Sequence, residues 1–441
     1  MLPIYTPYIT NRIKYVMQYV FEERLGIEYS ITSDKQQFIL NTTHFKIIYA
    51  NEKLENGIFF YAHSLLFEND IKKTEVDATS YNQIKILFAH NNNSALPFDV
   101  FAAIFYLLSR YEEYLNEPLD KFENYDYRNS ILFKQNILDV PVIEQWIELL
   151  KKVLLQYFPS LQFKIHTPKF ALSFDIDVAY AYKNRNIFRT FGGLLKKIFQ
   201  LNINEAKKQL SVLSNKKKDM FDTYDYIFTS LKNKKPIFFF NMGEYGRFDK
   251  NPSSKNKKFQ ALIKDISQKA IVGLHPSYAS NSNQDLITSE KNKLEKIIAK
   301  QITASRQHYL KLKLPYTYNN LISNNITQDF TIGYSANYGF RAGTCNSFLF
   351  FDLINNETTS LRLFPFSYMD GTLNNYLNLN LEGAKKTVSQ LIQIVYKYNG
   401  VFIPLWHNST LSNCADWKGW REVFEHTLKE IDTKIFENLL K

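Results

Sequence analysis

Two aspartates at the end of a short apolar segment are the first residues in the chain that indicate chemistry. Asp175 and Asp177 follow the segment Phe170–Phe174 and are separated by Ile176. Alternate residues of an extended strand point to the same side, so both carboxylates would face one pocket. Because close carboxylates repel, a divalent cation would relieve the repulsion, with one acid binding it and the other serving as a base. A solvated turn or helix cap is the alternative interpretation of this pair.

Histidines stand at the ends of other apolar segments. His275 follows AIVGL directly and precedes a proline, and His407 follows PLW. Imidazole is a common ligand of zinc and other transition metals. A single histidine such as His407 is more often a structural residue. The combination of three histidines with two aspartates at strand ends or loops of one fold is what favours a metal site.

Arg306 and His308 lie together in the segment SRQHYL. The arginine would hold a carboxylate in a fixed orientation, and the histidine would be a second imidazole ligand. Successive residues of a helix diverge by about 100°. The segment must therefore be a strand or a loop for both side chains to face the same pocket.

Short apolar strands that alternate with helices would position these residues. Helices are predicted over KFQALIKDISQ and over residues 285–304 and 382–398. Such alternation is typical of a parallel sheet or barrel, whose ligands bind at the carboxyl ends of the strands. The predicted strands are Phe170–Phe174, PIFFFNM at 236–242, AIVGLHPSY, FTIGYS at 330–335, LRLFPFS at 361–367 and GVFIPLWHN.

Residues 1–165 are predicted to form a separate α+β domain, before a second domain over residues 166–441. Apolar residues at helical spacing near the start predict an amphipathic helix. A further helix begins after Pro97, with Asp99 as its cap, and another begins at Asp139. The predicted strands of this domain are FKIIYA at 45–50 and GIFFYAHSLLF at 57–67.

The composition excludes several classes of protein. Hydrophobic residues make up 45% of the 441 residues and charged residues 22%, which is typical of a globular chain and not of a disordered one. Cys345 and Cys414 are too few for a disulfide framework or a cysteine-rich zinc site. The first residues lack the order of a signal peptide, and no apolar run reaches the roughly 18 residues of a membrane span. A cytoplasmic location is therefore expected.

The net charge of +11 is concentrated in one segment. Residues 183–218 contain ten Lys or Arg and one acid, and a basic helical insertion is predicted around 185–220. Two interpretations remain open, a surface helix that contacts an anionic membrane and a helix packed on its own domain. No nucleic-acid-binding module is recognisable. At helical spacing one face would carry Phe191, Leu194, Leu195 and Ile198, while Lys196 and Lys197 would project elsewhere.

These motifs, in this order, resemble the polysaccharide deacetylase (NodB-like) family, and more closely a Bacteroidetes branch with an N-terminal domain of unknown function. The resemblance covers nearly the whole chain. It implies a distorted (β/α) barrel and a zinc-type divalent ion. By position, Asp175 resembles the catalytic base, Asp177 and His275 the metal ligands, Arg306 the residue that orients the base, and His407 the general acid. The closer match rests on FDVFAAIFYLLSRYEEYL, ALSFDID, VGLHPSYAS, SRQHYL, GFRAGT, MDGTL and LWHN.

One position departs from the family pattern. The family has a second metal-binding histidine four residues after the first, and Ala279 stands there in this chain. His308, a water molecule or nothing would then complete the site. The resemblance implies a hydrolase that removes an acetyl group from an N-acetylated sugar, a carbon–nitrogen bond other than a peptide bond. The alternatives are a non-catalytic relative that binds glycans or a protein partner, and another metal-assisted hydrolase on the same barrel.

Overall fold

The chain divides into two compact units. A computed structural model describes residues 1–74, 76–185 and 187–440, apart from the side chains at positions 187–189, 193, 196 and 197. Unit 1 comprises residues 1–120, 125–167 and 340–363, and unit 2 comprises residues 121–124, 168–339 and 364–441. The predicted division at residues 165 and 166 stays a prediction, and these units additionally group residues 340–363 with the N-terminal part.

The strands and helices alternate through most of unit 2. In chain order the strands are β1 (Leu2–Tyr5), β2 (Tyr29–Thr32), β3 (Ile47–Ala50), β4 (Ile58–Tyr61), β5 (Ala78–Tyr81), β6 (Ile84–Leu87), β7 (Lys169–Phe170), β8 (Ser173–Ile176), β9 (Ile237–Asn241), β10 (Ile271–His275), β11 (Ala304–Ser305), β12 (Gln328–Asp329), β13 (Phe348–Asp352), β14 (Glu357–Leu363), β15 (Tyr368–Met369), β16 (Val401–Phe402), β17 (Pro404–His407) and β18 (Glu437–Asn438). The helices are α1 (Asn11–Met17), α2 (Lys35–Leu40), α3 (Val100–Leu108), α4 (Ile131–Lys134), α5 (Val142–Tyr157), α6 (Ile187–Phe199), α7 (Ile203–Leu213), α8 (Tyr224–Leu231), α9 (Lys257–Lys269), α10 (Gln284–Ile298), α11 (Tyr316–Ser323), α12 (Leu381–Lys397) and α13 (Trp420–Thr433).

Unit 1 is built around a buried helix and a small parallel sheet. The sheet has the strand order β2-β1-β3-β4. All nine residues of α3 are apolar and buried, as expected for a helix that is apolar on every side. The Asp99 carboxylate accepts hydrogen bonds from the backbone N–H groups of Phe101 and Ala102, at 3.0 and 2.9 Å. The predicted cap and helix are thus confirmed.

The hairpin formed by β13 and β14 belongs to the core of unit 1. The ring of Phe351 lies 5.1 Å from the ring of Tyr15 and 5.1 Å from that of Phe105, measured between centroids. The Tyr15 hydroxyl donates a hydrogen bond of 2.7 Å to the carbonyl oxygen of Leu349. The hairpin therefore completes the packing around α1 and α3 although it lies more than two hundred positions later in the chain.

Unit 2 contains a parallel sheet in which the strand order is β12-β11-β10-β9-β8-β17-β15. Strands β8 and β9 are buried at every residue, and β10 at all but its first, as in parallel sheets that are covered on both faces. Asp175 pairs in register with His407 of β17, and His275 pairs with Asn241 of β9. The register brings the polar residues at the strand ends to one edge of the sheet.

Three predicted strands differ from the structure. The strand predicted over residues 57–67 ends at Tyr61, and Ser64–Phe67 forms a 3₁₀ turn. Residues 330–335 follow β12 without continuing it, because Asp329 binds the backbone N–H and hydroxyl of Thr331 and the Phe330 carbonyl accepts from Arg306. The strand predicted at 361–367 ends at Leu363. Pro365 lies just beyond and lacks the N–H group that a further ladder bond requires. Side chains and proline thus interrupt regular pairing on the last two segments, although the Phe366 N–H still donates to the Ile332 carbonyl oxygen at 3.0 Å.

The architecture is mixed α/β, as predicted, and the strand order of the unit 2 sheet is open in the part of the chain that the structure describes. The finer prediction of a distorted (β/α) barrel stays a prediction. Within the same described ranges, no helix combines the length and apolar character needed to cross a bilayer.

Candidate active site

A buried carboxylate held by an arginine lies at the end of β8. Asp175 is buried, and the Arg306 Nη1 donates to its Oδ1 at 2.9 Å. The guanidinium also donates to the Ser173 hydroxyl at 2.9 Å and to the Phe330 carbonyl oxygen at 2.9 Å. Its carbon lies 4.7 Å from the centroid of the Phe239 ring, which supports its flat face. These contacts fix one oxygen of Asp175 and leave the other directed toward His275, 3.9 Å from Nε2.

Asp177 is close to two imidazoles. His275 comes from the end of β10, and His308 comes from the loop after β11. Its Oδ1 is 3.0 Å from His275 Nε2 and 3.7 Å from His308 Nε2. One ligand atom from each of these three residues lies within 4.8 Å of the others. Burial raises the pKa of Asp177, but the charges of His308 and His407 lower it by more. The pKa of Asp177 therefore falls well below its usual value. The carboxylate is therefore ionised at neutral pH.

The other nitrogen of each imidazole is already engaged. His275 Nδ1 lies 2.5 Å from the Arg306 carbonyl oxygen, and His308 Nδ1 lies 2.8 Å from the Asp249 carboxylate. When an imidazole is neutral, an acceptor at Nδ1 holds the proton there and leaves Nε2 free to bind a cation. Burial lowers the pKa of His308, but Asp177 and Asp249 raise it to about 9, so without a cation this imidazole is protonated at neutral pH. A divalent cation bound beside Asp177 would displace that proton.

This donor set fits a divalent metal ion. Two imidazole nitrogens and one carboxylate oxygen, with space for a further ligand, are typical of catalytic zinc sites. Partners on the outer imidazole nitrogens, such as Asp249 and the Arg306 carbonyl, are also typical of metal-binding histidines. Asp177, His275 and His308 would hold the ion, and Asp175 lies beside them.

His308 offers an imidazole to the three-residue group, whereas position 279 carries none. Ala279 immediately precedes the short 3₁₀ turn Ser280–Ser282. Ser277 donates its hydroxyl to Glu290 at 2.5 Å, and Ser280 donates to the Ser277 carbonyl oxygen at 2.9 Å. Neither serine lines the pocket described below. His308 lines this pocket because the chain leaves β11 as a loop. A strand or a loop at this segment is what the sequence requires for Arg306 and His308 to face the same site.

His407 is held by a carboxylate that the motif analysis left without a role. The Asp370 Oδ1 lies 2.8 Å from His407 Nδ1, and Oδ2 accepts from the His407 backbone N–H at 2.7 Å. Thr410 also donates to Asp370, at 2.5 Å. Burial lowers the pKa of His407, but Asp370 and Asp177 raise it to about 10. The imidazole is therefore a proton donor at neutral pH, with Nε2 facing Asp177 Oδ2 at 3.7 Å.

All of these groups open into one pocket of unit 2, with a volume of about 330 Å³. Asp175, Asp177, His275, His308 and His407 line its floor together with Asp370. Aromatic side chains line it as well, among them Phe122, Tyr309, Tyr376 and Trp417. The pocket thus combines the charged groups with apolar ring surfaces.

Asp249 and Asp370 are functional candidates that the sequence reasoning missed. Asp249 lies in a polar loop after β9, and Asp370 stands in MDGTL, a segment that was noted only for its resemblance. Asp370 directly follows β15, as Asp177 directly follows β8, so its position after a strand end is a signal of the same kind. Asp249 has no such position, and only the structure brings it to His308.

Replacing Asp370 by asparagine tests the role of this carboxylate as a positioning residue. We expect the pKa of His407 to fall toward its ordinary value of about 6.5, because the largest charge that raises it is removed. NMR titration of the His407 ring would measure this shift. The matched variant Asp416→Asn changes a nearby carboxylate that does not line the pocket and should leave the pKa of His407 unchanged. A pKa that stays near 10 in Asp370→Asn would contradict the assignment.

Comparisons with known proteins were made on sequence and on structure. Residues 2–159 match a family described as a family of unknown function, DUF7033. No curated protein matches the chain.

Solved structures that are similar include three with names that concern carbohydrates or their esterases. A protein from Mycobacterium smegmatis, provisionally named a polysaccharide deacetylase, is 11% identical with a TM-score of 0.40, over 60% of this chain and 84% of that chain. A family 4 carbohydrate esterase from Streptomyces lividans, in complex with acetate, is 9% identical with a TM-score of 0.31, over 62% and 93%. A CE4 family pseudoenzyme from Bacillus anthracis is 10% identical with a TM-score of 0.29, over 62% and 63%.

Proposed function

We propose that the chain is a zinc-type, metal-dependent hydrolase that removes the acetyl group from an N-acetylated sugar of a surface glycan or its precursor. The observation that carries the proposal is the arrangement of Asp175 and His407 on paired strands, each beside the group of Asp177, His275 and His308. In this proposal Asp175 is the proton acceptor and His407 is the proton donor. Metal-assisted hydrolysis of an amide uses both beside an ion that polarises the carbonyl.

Asp175 is proposed as the base. Arg306 donates to Asp175 and also to Ser173, and these two bonds fix the orientation of the Asp175 carboxylate. The other oxygen of Asp175 points toward His275 of the three-residue group. The carboxylate takes a proton from the attacking water as the new carbon–oxygen bond forms. The bound ion would polarise the acetyl carbonyl and lower the pKa of the water.

His407 is proposed as the acid. The Asp370 carboxylate holds its Nδ1 and raises its pKa, so that Nε2 carries a proton into the pocket. This proton passes to the sugar nitrogen as the carbon–nitrogen bond breaks. The products are acetate and a free amino sugar, and the atoms balance with one water consumed.

The size and lining of the pocket support an N-acetylated sugar as the substrate. A volume of about 330 Å³ lies at the lower end of the range of ligand pockets, and it suits one sugar ring with its acetyl group. Tyr309, Tyr376 and Trp417 offer rings against which the apolar face of a sugar packs. Polar groups on the floor would meet the acetamide.

Acetate release tests the proposal directly. Purified chain loaded with Zn²⁺ would be incubated with N-acetylglucosamine oligomers, and released acetate would be measured by a coupled assay. We expect release that requires the metal and that is lost when a chelator removes it. Oligomer binding without acetate release, measured by calorimetry on the same loaded chain, would instead indicate the non-catalytic glycan-binding relative.

A further inference from the structure

The helices α6 and α7 expose a row of large apolar side chains to solvent. The packed interpretation of this segment requires them to be buried, yet each is about half exposed or more. Phe191 is 59% exposed, Leu195 54% and Ile198 50% on α6, and Leu210 is 49% exposed on α7. We refer to these four, with the three tip residues described next, as the exposed apolar face.

The most exposed members lie where α6 turns into α7. Phe199 and Leu201 are each 83% exposed, and Ile203 is 55% exposed. These three tip residues lie within five positions of the chain. Large contiguous apolar surfaces on soluble proteins mark sites that another surface covers.

The opposite side of α7 is fixed to the protein, so the exposed apolar face has a defined direction. Ala206, Gln209 and Val212 are buried on that side. Gln209 donates to the Thr190 carbonyl oxygen of α6 at 3.1 Å, and the Tyr182 hydroxyl donates to Glu205 at 2.9 Å. Ile203, Lys207 and Leu210 are spaced by four and three residues and share the outward side of α7.

Charge identifies the surface that fits this face. Residues 183–218 carry ten basic residues and one acid. Lys207 is exposed on α7, and Lys216 and Lys217 are exposed just after the end of this helix. The predicted projection of Lys196 and Lys197 lies outside the described side chains. Apolar side chains interleaved with lysines suit a surface that is apolar inside and negatively charged at its boundary, as a bilayer with acidic headgroups is.

We propose that the α6–α7 segment docks unit 2 on a bilayer with acidic headgroups. The tip residues enter the interface between headgroups and acyl chains, and the lysines contact the headgroups. A second copy of this chain fits the face less well, because a two-fold contact would place the same basic segment against itself. The proposal is independent of acetyl hydrolysis, since docking needs neither metal nor substrate.

Flotation with lipid vesicles tests the proposal on the full chain. Vesicles of phosphatidylcholine alone would be compared with vesicles that contain about one third phosphatidylserine. We expect the chain to float with the acidic vesicles only. Raising salt from about 0.1 M to about 1 M shortens the screening length from about 10 to about 3 Å and should release most of it.

Two variants separate the apolar and the charged contributions. Replacing Phe199, Leu201 and Ile203 together by serine should lower the partition coefficient at least roughly tenfold. Lys207→Gln, Lys216→Gln and Lys217→Gln together should lower it roughly a hundredfold at low salt. The matched controls change exposed residues elsewhere and should float as the unchanged chain does. They are Leu40→Ser with Ile354→Ser and Ile435→Ser, and Lys257→Gln with Lys258→Gln and Lys264→Gln.

Each other outcome overturns the proposal. Absence of flotation at low salt does so, as does equal loss in the tip variant and its control. Self-association that the tip variant abolishes, measured by light scattering without vesicles, would show that a second copy covers the face. Thermal unfolding would confirm that every variant remains folded.

Discussion

Asp177→Ala is expected to lower the affinity for Zn²⁺ by more than about a hundredfold, since loss of an outer partner alone already costs ten- to a hundredfold. His275→Ala should have a similar effect. Both residues offer a ligand atom in the group that also contains His308, and an incomplete set of three leaves the ion weakly held. Competition titration with a chromogenic chelator measures the affinity.

Graded variants make this result specific. Asp249→Asn should lower the affinity by roughly ten- to a hundredfold, because Asp249 acts on the ion only through His308. Asp225→Asn changes an exposed carboxylate of unit 2 and should leave the affinity unchanged. Full metal content in both Asp177→Ala and His275→Ala would refute the site. If only His308→Ala retains full affinity, the third ligand is another group.

Asp175→Asn is expected to keep the metal and lose the reaction. The variant preserves the size of the side chain and removes the charge that accepts the proton, so the rate of acetate release should fall by roughly 10²–10⁴. Metal affinity should stay within a few-fold, because Asp175 is not one of the three grouped residues. Acetate release and chelator competition on the same preparation give both quantities.

Asp175→Asn needs a control for folding, because it removes the charged partner of Arg306. Its guanidinium is fully buried against Asp175, and removing one partner of a buried ion pair typically costs 3–5 kcal/mol. Retained metal binding would show that the site of Asp175→Asn is still folded. Asp329→Asn changes another buried carboxylate of the same sheet, one that does not line the pocket, and should retain most of the rate. A rate near that of the unchanged chain in Asp175→Asn would remove Asp175 from the mechanism.

The residues at strand ends were within reach of sequence reasoning. Asp175, Asp177 and His275 follow runs of apolar residues that are long enough to form buried strands, and parallel strands bring their carboxyl ends to one edge. The structure brings these residues together with Arg306, His308 and His407. The alternation of apolar strands with helices can be recognised locally in the sequence. It is sufficient to predict that the polar residues after these strands lie at one edge of a parallel sheet.

The contacts of loop residues and the exposure of helix faces cannot be predicted in this way. Asp249 reaches His308 across 59 positions of the chain, and nothing in its neighbourhood indicates this contact. The helical spacing of Phe191 and Leu195 predicts that they share a face, but spacing is the same whether the face meets protein or solvent. Only tertiary packing decides between the two, as it also decides that side-chain hydrogen bonds interrupt regular strand pairing over residues 330–335.

The hairpin of β13 and β14 has a consequence for the order in which the protein is made. A ribosome releases residues 1–167 long before residues 340–363, so Tyr15 and Phe105 emerge without the ring of Phe351 that later packs against both. Unit 1 thus completes its core only after most of unit 2 has been translated. Until then, its aromatic side chains are exposed to chaperones and to other nascent chains.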